Sequence, residues 1–192
     1  MEEKPILRVI AGKVRGLLLR TPKGMKTRPT TDRVKENLFN IIRQDISDAV
    51  FLDLFSGTGS LGIEALSRGA LKGIFVDKNL GCIKIIKENL EHTKLSSRAE
   101  VYCADFKVAL KKLHNTQKFS IIFLDPPYDT GSLGIALSLI NEFELLEEDG
   151  LIVVERSKTE TLSFEYFIQV RDENYGNTNI TLLKNRNKIL GN

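Results

Sequence analysis

The chain is poor in the residues that hold metals or cross-link folds. Of its 192 residues, two are cysteine and two are histidine. Cys82 and Cys103 stand apart, with neither CxxC spacing nor a histidine cluster beside them. That pattern argues against a disulfide framework or a structural zinc site, and leaves two buried free thiols and no metal as the expectation. His92 and His114 fall outside every motif and read as surface residues. No apolar run approaches the roughly 20 residues that a membrane helix needs. The first residues, MEEKPILRVIAGK, lack the apolar stretch of about 7–15 residues that marks a signal peptide. A cytoplasmic protein with no membrane partner is expected. There is no internal repeat, low-complexity segment or long linker.

Acidic residues are missing from one stretch. From Lys4 to Thr31 there are eight bases and no acid. Residues 1–49 hold 11 Lys/Arg against 6 Asp/Glu, a balance of +5, and residues 50–192 hold 17 against 19, a balance of −2. A basic arm on a near-neutral body suggests a polyanionic partner, although a charge run can also be a solvated loop. The rest of the composition, 42% hydrophobic and 28% charged, is that of a globular chain. Its length suits one domain with a small appendage: 1–29 as a basic hairpin or flap, 30–192 as the main domain.

Within the arm, LRVIAGKVRGLLLRT has two strand-like pieces around Gly12 and Gly16, and TPKGMKTRP reads as a loop. Thr30 or Thr31 can cap a helix in which Val34, Leu38, Ile41 and Ile42 share a face. Strands and helices then alternate. The strands are VFLDLF, GIFVD, AEVYCAD, FSIIFLD and LIVVE, the last entered through Gly150, and a helix near 132–146 precedes it. Alternation means parallel pairing through right-handed crossovers. YFIQVRDENYG and NTNITLLKN flank Gly176 without a helix and read as a terminal antiparallel hairpin. The expected class is α/β: a mostly parallel seven-stranded sheet with helices on both faces.

The chemistry sits at strand ends. FSIIFLDPPY is a buried apolar strand stopped by an acid and two prolines, because proline cannot donate to a ladder. It holds one carboxylate, Asp125, and one ring, Tyr128, on the stiff pair Pro126 and Pro127. Gly57-Thr58-Gly59-Ser60-Leu61-Gly62 fits G-x-G-x-x-G after a strand, a turn that lets a ligand approach the backbone closely. Asp53 lies four residues before it and Asp77 ends the next strand, placed to accept from ribose hydroxyls. A dinucleotide would bring pyrophosphate to this turn and gain nothing from Asp53. S-adenosylmethionine has no phosphate and carries an ammonium that a carboxylate suits. Asp105, ending the third strand, can reach an adenine amino group or simply cap the next helix. Three acids on successive strand ends form a ledge on the rim where open α/β sheets bind ligands.

FLDLFSGTGSLGIEALSRGA, FVDKN and FLDPPY together resemble Rossmann-type S-adenosylmethionine-dependent methyltransferases that act on exocyclic amino groups of bases. RVIAGKVRGLLLRTP, RPTTDRVKENLFNII and YGNTNITLL are similar to the RsmD family, over roughly residues 8 to 184. That resemblance implies methylation of a guanine N2 in 16S ribosomal RNA, within a small-subunit particle or assembly intermediate; a monomer is the default expectation. It implies catalysis by Asp125, Pro126, Pro127 and Tyr128. It implies cofactor binding by Asp53, Phe55, Ser56, Gly57, Thr58, Gly59, Gly62, Asp77, Lys78, Asp105 and Phe106. Thr30, Arg33 and Glu36 would close over the methionine end of the cofactor, or would be an ordinary helix start. Arg15, Arg20, Lys23, Lys26 and Arg28 would contact RNA. DPPY also serves adenine-N6 methyltransferases of DNA or RNA, and a noncatalytic RNA-binding or ribosome-assembly protein could keep the fold. The adenine reading is disfavoured because 192 residues leave no room for a separate target-recognition domain. The noncatalytic reading is disfavoured because Asp53, the glycine turn and DPPY are all intact.

Overall fold

A computed structural model describes residues 7–21, 32–127, 130–158 and 164–186. Seven strands form one sheet: β1 (Val50–Asp53), β2 (Lys72–Asp77), β3 (Ala99–Cys103), β4 (Phe119–Leu124), β5 (Leu146–Ser157), β6 (Phe167–Tyr175) and β7 (Thr178–Asn185). Their order is β3-β2-β1-β4-β5-β7-β6. β1 pairs parallel with β2 and β4, β2 with β3, and β4 with β5, whereas β7 runs antiparallel to both β5 and β6. The crossovers carry α3 (Ser60–Arg68), α4 (Leu80–His92), α5 (Phe106–Leu113) and α6 (Ser132–Glu142), preceded by α1 (Asp32–Ile41) and the short α2 (Arg43–Ile46). The terminal hairpin has no crossover helix because only a tight turn at Gly176 (φ 73°) joins β6 to β7.

The central strands are apolar on both sides because each face is covered. Phe51, Phe75, Phe123 and Val153 face one layer with α1 and α3, while Leu52, Ile74, Leu124 and Val154 face the other with α5 and α6. Close approach fixes the third glycine of the turn. A Cβ on Gly62 would lie 2.3 Å from the Phe75 ring and 2.8 Å from Phe51, so only glycine lets α3 sit against β1 and β2.

Residues 7–21 fold back as a small hairpin with an isolated antiparallel bridge between Arg8 and Leu18. Leu7, Val9 and Leu19 enter the main core. The segment is also held by buried polar groups. Glu64 of α3 accepts from the amides of Ile10 (2.8 Å) and Ala11 (2.9 Å) and pairs with Arg68 (2.7 Å) and Lys35 (3.5 Å). Lys35 donates to Arg8 O (2.5 Å) and Ser60 Oγ (3.2 Å). Asn89 of α4 accepts from Arg20 N (2.7 Å) and donates to Arg20 O (3.1 Å) and Thr58 O (3.0 Å).

Three sequence expectations change. Cys82 is buried, but Cys103 is exposed, because β3 is an edge strand and Cys103 is its last residue. The helix near 132–146 stops at Glu142, where Phe143 breaks the helical geometry and Glu144 adopts φ 48°. β5 starts at Leu146 rather than after Gly150, with a register shift against β4 between Phe119 and Ile121. His92 and His114 lie at the surface, as the sequence indicates. The helix cap expected at Thr30 or Thr31 lies outside the described residues.

Candidate active site

The site lies along the C-terminal ends of β1, β2, β3, β4 and β5. Asp53 ends β1 and is 3% exposed. Its Oδ2 accepts from Gly62 N at 3.3 Å, and its main-chain oxygen accepts from Ser56 Oγ at 2.7 Å. Burial pushes the carboxyl up to about 7; the Gly62 and Ser56 hydrogen bonds hold it down in part, and the charge of Asp77 raises it. Nothing among the described residues pairs it with a cation.

Asp77 braces the turn. One of its oxygens accepts from Gly57 N at 2.9 Å and the other from Asn79 N at 2.8 Å. Gly57 (φ 52°) and Gly59 (φ 77°) hold left-handed conformations within the turn. Ser56 bridges to β2, its Oγ accepting from Val76 N at 3.0 Å. Asp105 caps α5, accepting from Lys107 N at 2.9 Å, so the capping alternative is realised with one of its oxygens. Phe55 and Phe106, both half-buried, meet with ring centroids 5.2 Å apart and wall the rim between β1 and α5. Lys78, just after β2, is exposed.

Just past β4, Asp125 is half-buried, Pro126 buried and Pro127 exposed; Thr130 Oγ1 donates to Pro127 O at 2.8 Å and closes the loop into α6. Asp125 is pushed well above the usual carboxylate range, first by burial, then by the charges of Glu155 and Asp53. Tyr128 lies outside the described residues, as do Thr30, Lys23, Lys26 and Arg28. Arg33 is exposed on α1. Arg15 is exposed, and Arg20 is exposed and ion-paired with Glu88 at 2.7 Å. Such a surface pair is weak, about 0–1 kcal/mol.

The sequence reading did not single out Glu155, Lys35, Glu64 or Asn89. Two left signals. Glu155 closes the run LIVV just as Asp125 closes FSIIFL. Lys35 shares helical spacing with Leu38, Phe39 and Ile42, so a lysine stands on the apolar stripe.

The sheet order, the glycine turn and the acids on one rim define a class: the chain has a Rossmann-like methyltransferase fold. The family model described as Conserved hypothetical protein 95 matches residues 7–184. YlbH of Bacillus subtilis, which carries a provisional rRNA methyltransferase name, is 43% identical over 94% of this chain and 100% of its own length. Ribosomal RNA small subunit methyltransferase D of Haemophilus influenzae is 41% identical over 81% of each chain. The structure of yhhF from Escherichia coli, provisionally titled a methyltransferase, superposes with a TM-score of 0.82 at 32% identity, covering 94% of this chain and 98% of that one. The chain belongs to the RsmD family.

Proposed function

We propose that the protein methylates the N2 amino group of a guanine in small-subunit ribosomal RNA, using S-adenosylmethionine. The observation that carries this reading is the row of carboxyls on one rim, with Asp53 buried beside the glycine turn and Asp125 held by a diproline on the adjacent strand.

S-adenosylmethionine supplies a methyl on sulfur: a nitrogen–carbon bond forms as the carbon–sulfur bond breaks and its electron pair stays on sulfur. The residues fit it. Asp53 suits the α-ammonium, and the raised affinity of its carboxyl for a proton means that an external cation is stabilised in the proton's place. Asp77 and Asp105 keep acceptor capacity for ribose hydroxyl and adenine amino groups, and Phe55 and Phe106 flank the adenine face. Gly57, Thr58 and Gly59 form the turn that the ligand lies against.

An aryl amine is a poor nucleophile because its lone pair is delocalised into the ring. Asp125 accepts a hydrogen bond from the amino group, and a carbonyl near Pro126 takes the second, which turns the lone pair toward the methyl. The raised basicity of Asp125 also lets it receive the proton released after transfer. Tyr128 stacks on the base, worth about 1–3 kcal/mol. Positioning the reactants supplies the larger share, up to about 7–11 kcal/mol in favourable cases. The base leaves its stack to enter, most cheaply from a single-stranded loop. Residues 1–29 act as an RNA-contacting extension of the 30–192 domain. Within it Arg15 and Arg20, with Lys23, Lys26 and Arg28, contact phosphate and add affinity without base specificity.

The test is to incubate the protein with labelled S-adenosylmethionine and unmodified small ribosomal subunits, naked ribosomal RNA or duplex DNA, then to identify the labelled nucleoside. N2-methylguanosine is expected. Label in N6-methyladenosine, or in DNA alone, refutes the reading, and no label at all favours a noncatalytic role.

A further inference from the structure

A buried amide stands on the inner face of α4. Asn89 is wholly buried beside Ile86 and Leu90, where the helix packs on the sheet. Such a group is costly unless its hydrogen bonds are made. Its Oδ1 accepts from Arg20 N at 2.7 Å, and its Nδ2 donates to Arg20 O at 3.1 Å and to Thr58 O at 3.0 Å. A main-chain N–H can only donate and a carbonyl can only accept, so these partners fix which way the Asn89 side chain lies. Ionised aspartate has no donor, and leucine has neither donor nor acceptor. The one side chain thus grips both main-chain groups of a hairpin residue and a carbonyl of the glycine turn, 69 and 31 residues away in sequence.

Thr58 O belongs to the Thr58–Gly59 peptide, and the amide of that same peptide donates to Ser56 O at 2.6 Å. The peptide plane is therefore held at both ends, by Asn89 on the carbonyl and by Ser56 on the amide. Glycine accepts φ of either sign, so a turn with Gly57 (φ 52°) and Gly59 (φ 77°) has other peptide orientations open to it. Asn89 selects one of them. Arg20 leads into residues 22–31, the stretch of sequence that carries Lys23, Lys26 and Arg28. Its guanidinium stands at the surface beside Glu88, while its main chain is held by Asn89. One residue thus offers its charge to solvent and reaches the glycine turn through its backbone.

We propose that Asn89 is a positioning residue that couples RNA binding to cofactor binding. This rests on the reading above, in which the basic arm meets ribosomal RNA and the turn meets S-adenosylmethionine, and it adds a link between the two. RNA phosphate on the arm seats Arg20, and a seated Arg20 holds the Asn89 amide. The amide keeps Thr58 O turned inward and the turn in the form that the cofactor lies against. Release of Arg20 frees the amide and lets the Thr58–Gly59 peptide turn. Each ligand favours the seated state over the released one, so each raises the population that the other binds. Coupling of this kind is reciprocal: the factor that RNA adds to cofactor affinity is the factor that the cofactor adds to RNA affinity.

The test is a binding cycle on the whole chain. The dissociation constant of S-adenosylhomocysteine is measured with and without saturating unmodified small subunits, and that of the subunits with and without S-adenosylhomocysteine. Wild type is expected to gain about 5- to 20-fold, equally on the two legs. Asn89→Ala should reduce the gain to about twofold or less. A side chain that merely supports the fold would weaken cofactor binding alike with and without particles, and leave the gain at its wild-type value. So would coupling carried by direct contact between target base and cofactor. A full gain in Asn89→Ala therefore overturns the proposal, and so does a wild type with no gain. A second measurement needs neither variant nor RNA. S-adenosylhomocysteine alone should slow hydrogen exchange of the Arg20 amide in the wild-type protein by about fivefold or more. An unchanged Arg20 amide overturns the proposal even if Asn89→Ala does not fold. If charge reversal along the arm leaves subunit binding intact, the reading of the arm has failed and this one with it; if the arm does bind RNA and the cycle shows no gain, only the present one has.

Discussion

Asp53→Asn should make the free protein more stable, and by an amount that depends on pH. The carboxyl of Asp53 titrates at about 7 in the folded chain against an ordinary value of 3.8, with burial as the main cause. The folded state thus holds this proton over a range in which the unfolded chain has already released it. Stability from this group is fully present below the unfolded value and is lost as pH rises from about 4 to 7. At about 1.4 kcal/mol per pKa unit, ionised Asp53 costs the fold about 4 kcal/mol at pH 8 and under about 2 kcal/mol at pH 5. Asparagine does not titrate. The stability gain of Asp53→Asn over wild type should therefore be larger at pH 8 than at pH 5 by about 2.5 kcal/mol. For a chain of this length that corresponds to about 5–10 °C in melting temperature. The assay is thermal and urea unfolding of both proteins, free of cofactor, at the two pH values. Any constant effect of the amide on packing cancels in the difference between them. If the difference vanishes, Asp53 is not a strained carboxyl, and its role as a prepared partner for an ammonium loses its physical basis. S-adenosylmethionine should also bind wild type more tightly as pH rises toward 8, and bind Asp53→Asn with little pH dependence.

Four further outcomes follow from the same geometry. Asp125→Ala should keep cofactor binding by calorimetry while losing methyl transfer by about 10²–10⁴-fold, and loss of both would misassign it. Lys35→Met should destabilise toward the lower end of about 3–5 kcal/mol in urea unfolding, because Arg68 still pairs with Glu64; an effect under about 0.5 kcal/mol would show that Lys35 does not fasten the hairpin. Gly62→Ala forces a methyl to within 2.3 Å of the Phe75 ring and should cost at least about 1–3 kcal/mol, with wild-type stability as the refuting result. Reversing Arg15, Lys23 and Arg28 to Glu should weaken small-subunit binding and flatten its salt dependence, and unchanged methylation near physiological salt would remove the arm from RNA recognition.

Much of the sheet was legible because its signals are local. An apolar run such as Ile121–Ile122–Phe123–Leu124, stopped by two prolines, has few other solutions. The alternation of five such runs with amphipathic stretches dictates parallel pairing. The terminal hairpin was legible from Gly176 and the missing crossover. What stayed hidden depends on contacts distant in sequence. Glu64 looks like an ordinary helix acid, yet its two oxygens hold the amides of Ile10 and Ala11, more than fifty residues away. Asn89 looks like a polar residue near the end of α4, yet it spans Arg20 and Thr58. Cys103 was misjudged because burial of a strand residue depends on the strand's place in the sheet, and edge position is set by topology rather than by local pattern.

The same distant contacts explain why a short basic segment need not behave as a loose tail. Arg20 carries the chain toward Lys23, Lys26 and Arg28, and its amide and carbonyl are both held by Asn89, whose side chain also holds Thr58 O in the glycine turn. At the other end of the hairpin, Lys35 joins Arg8 O to Ser60 Oγ, the first residue of α3. Both side chains are buried, and both reach residues of the G-x-G-x-x-G stretch. Movement of the arm's root therefore strains the turn through two separate buried side chains, and a buried polar group pulled from its partner costs about 1–3 kcal/mol. The fold accepts a costly lysine and a costly amide in its core, and in return residues 7–21 are registered against the glycine turn.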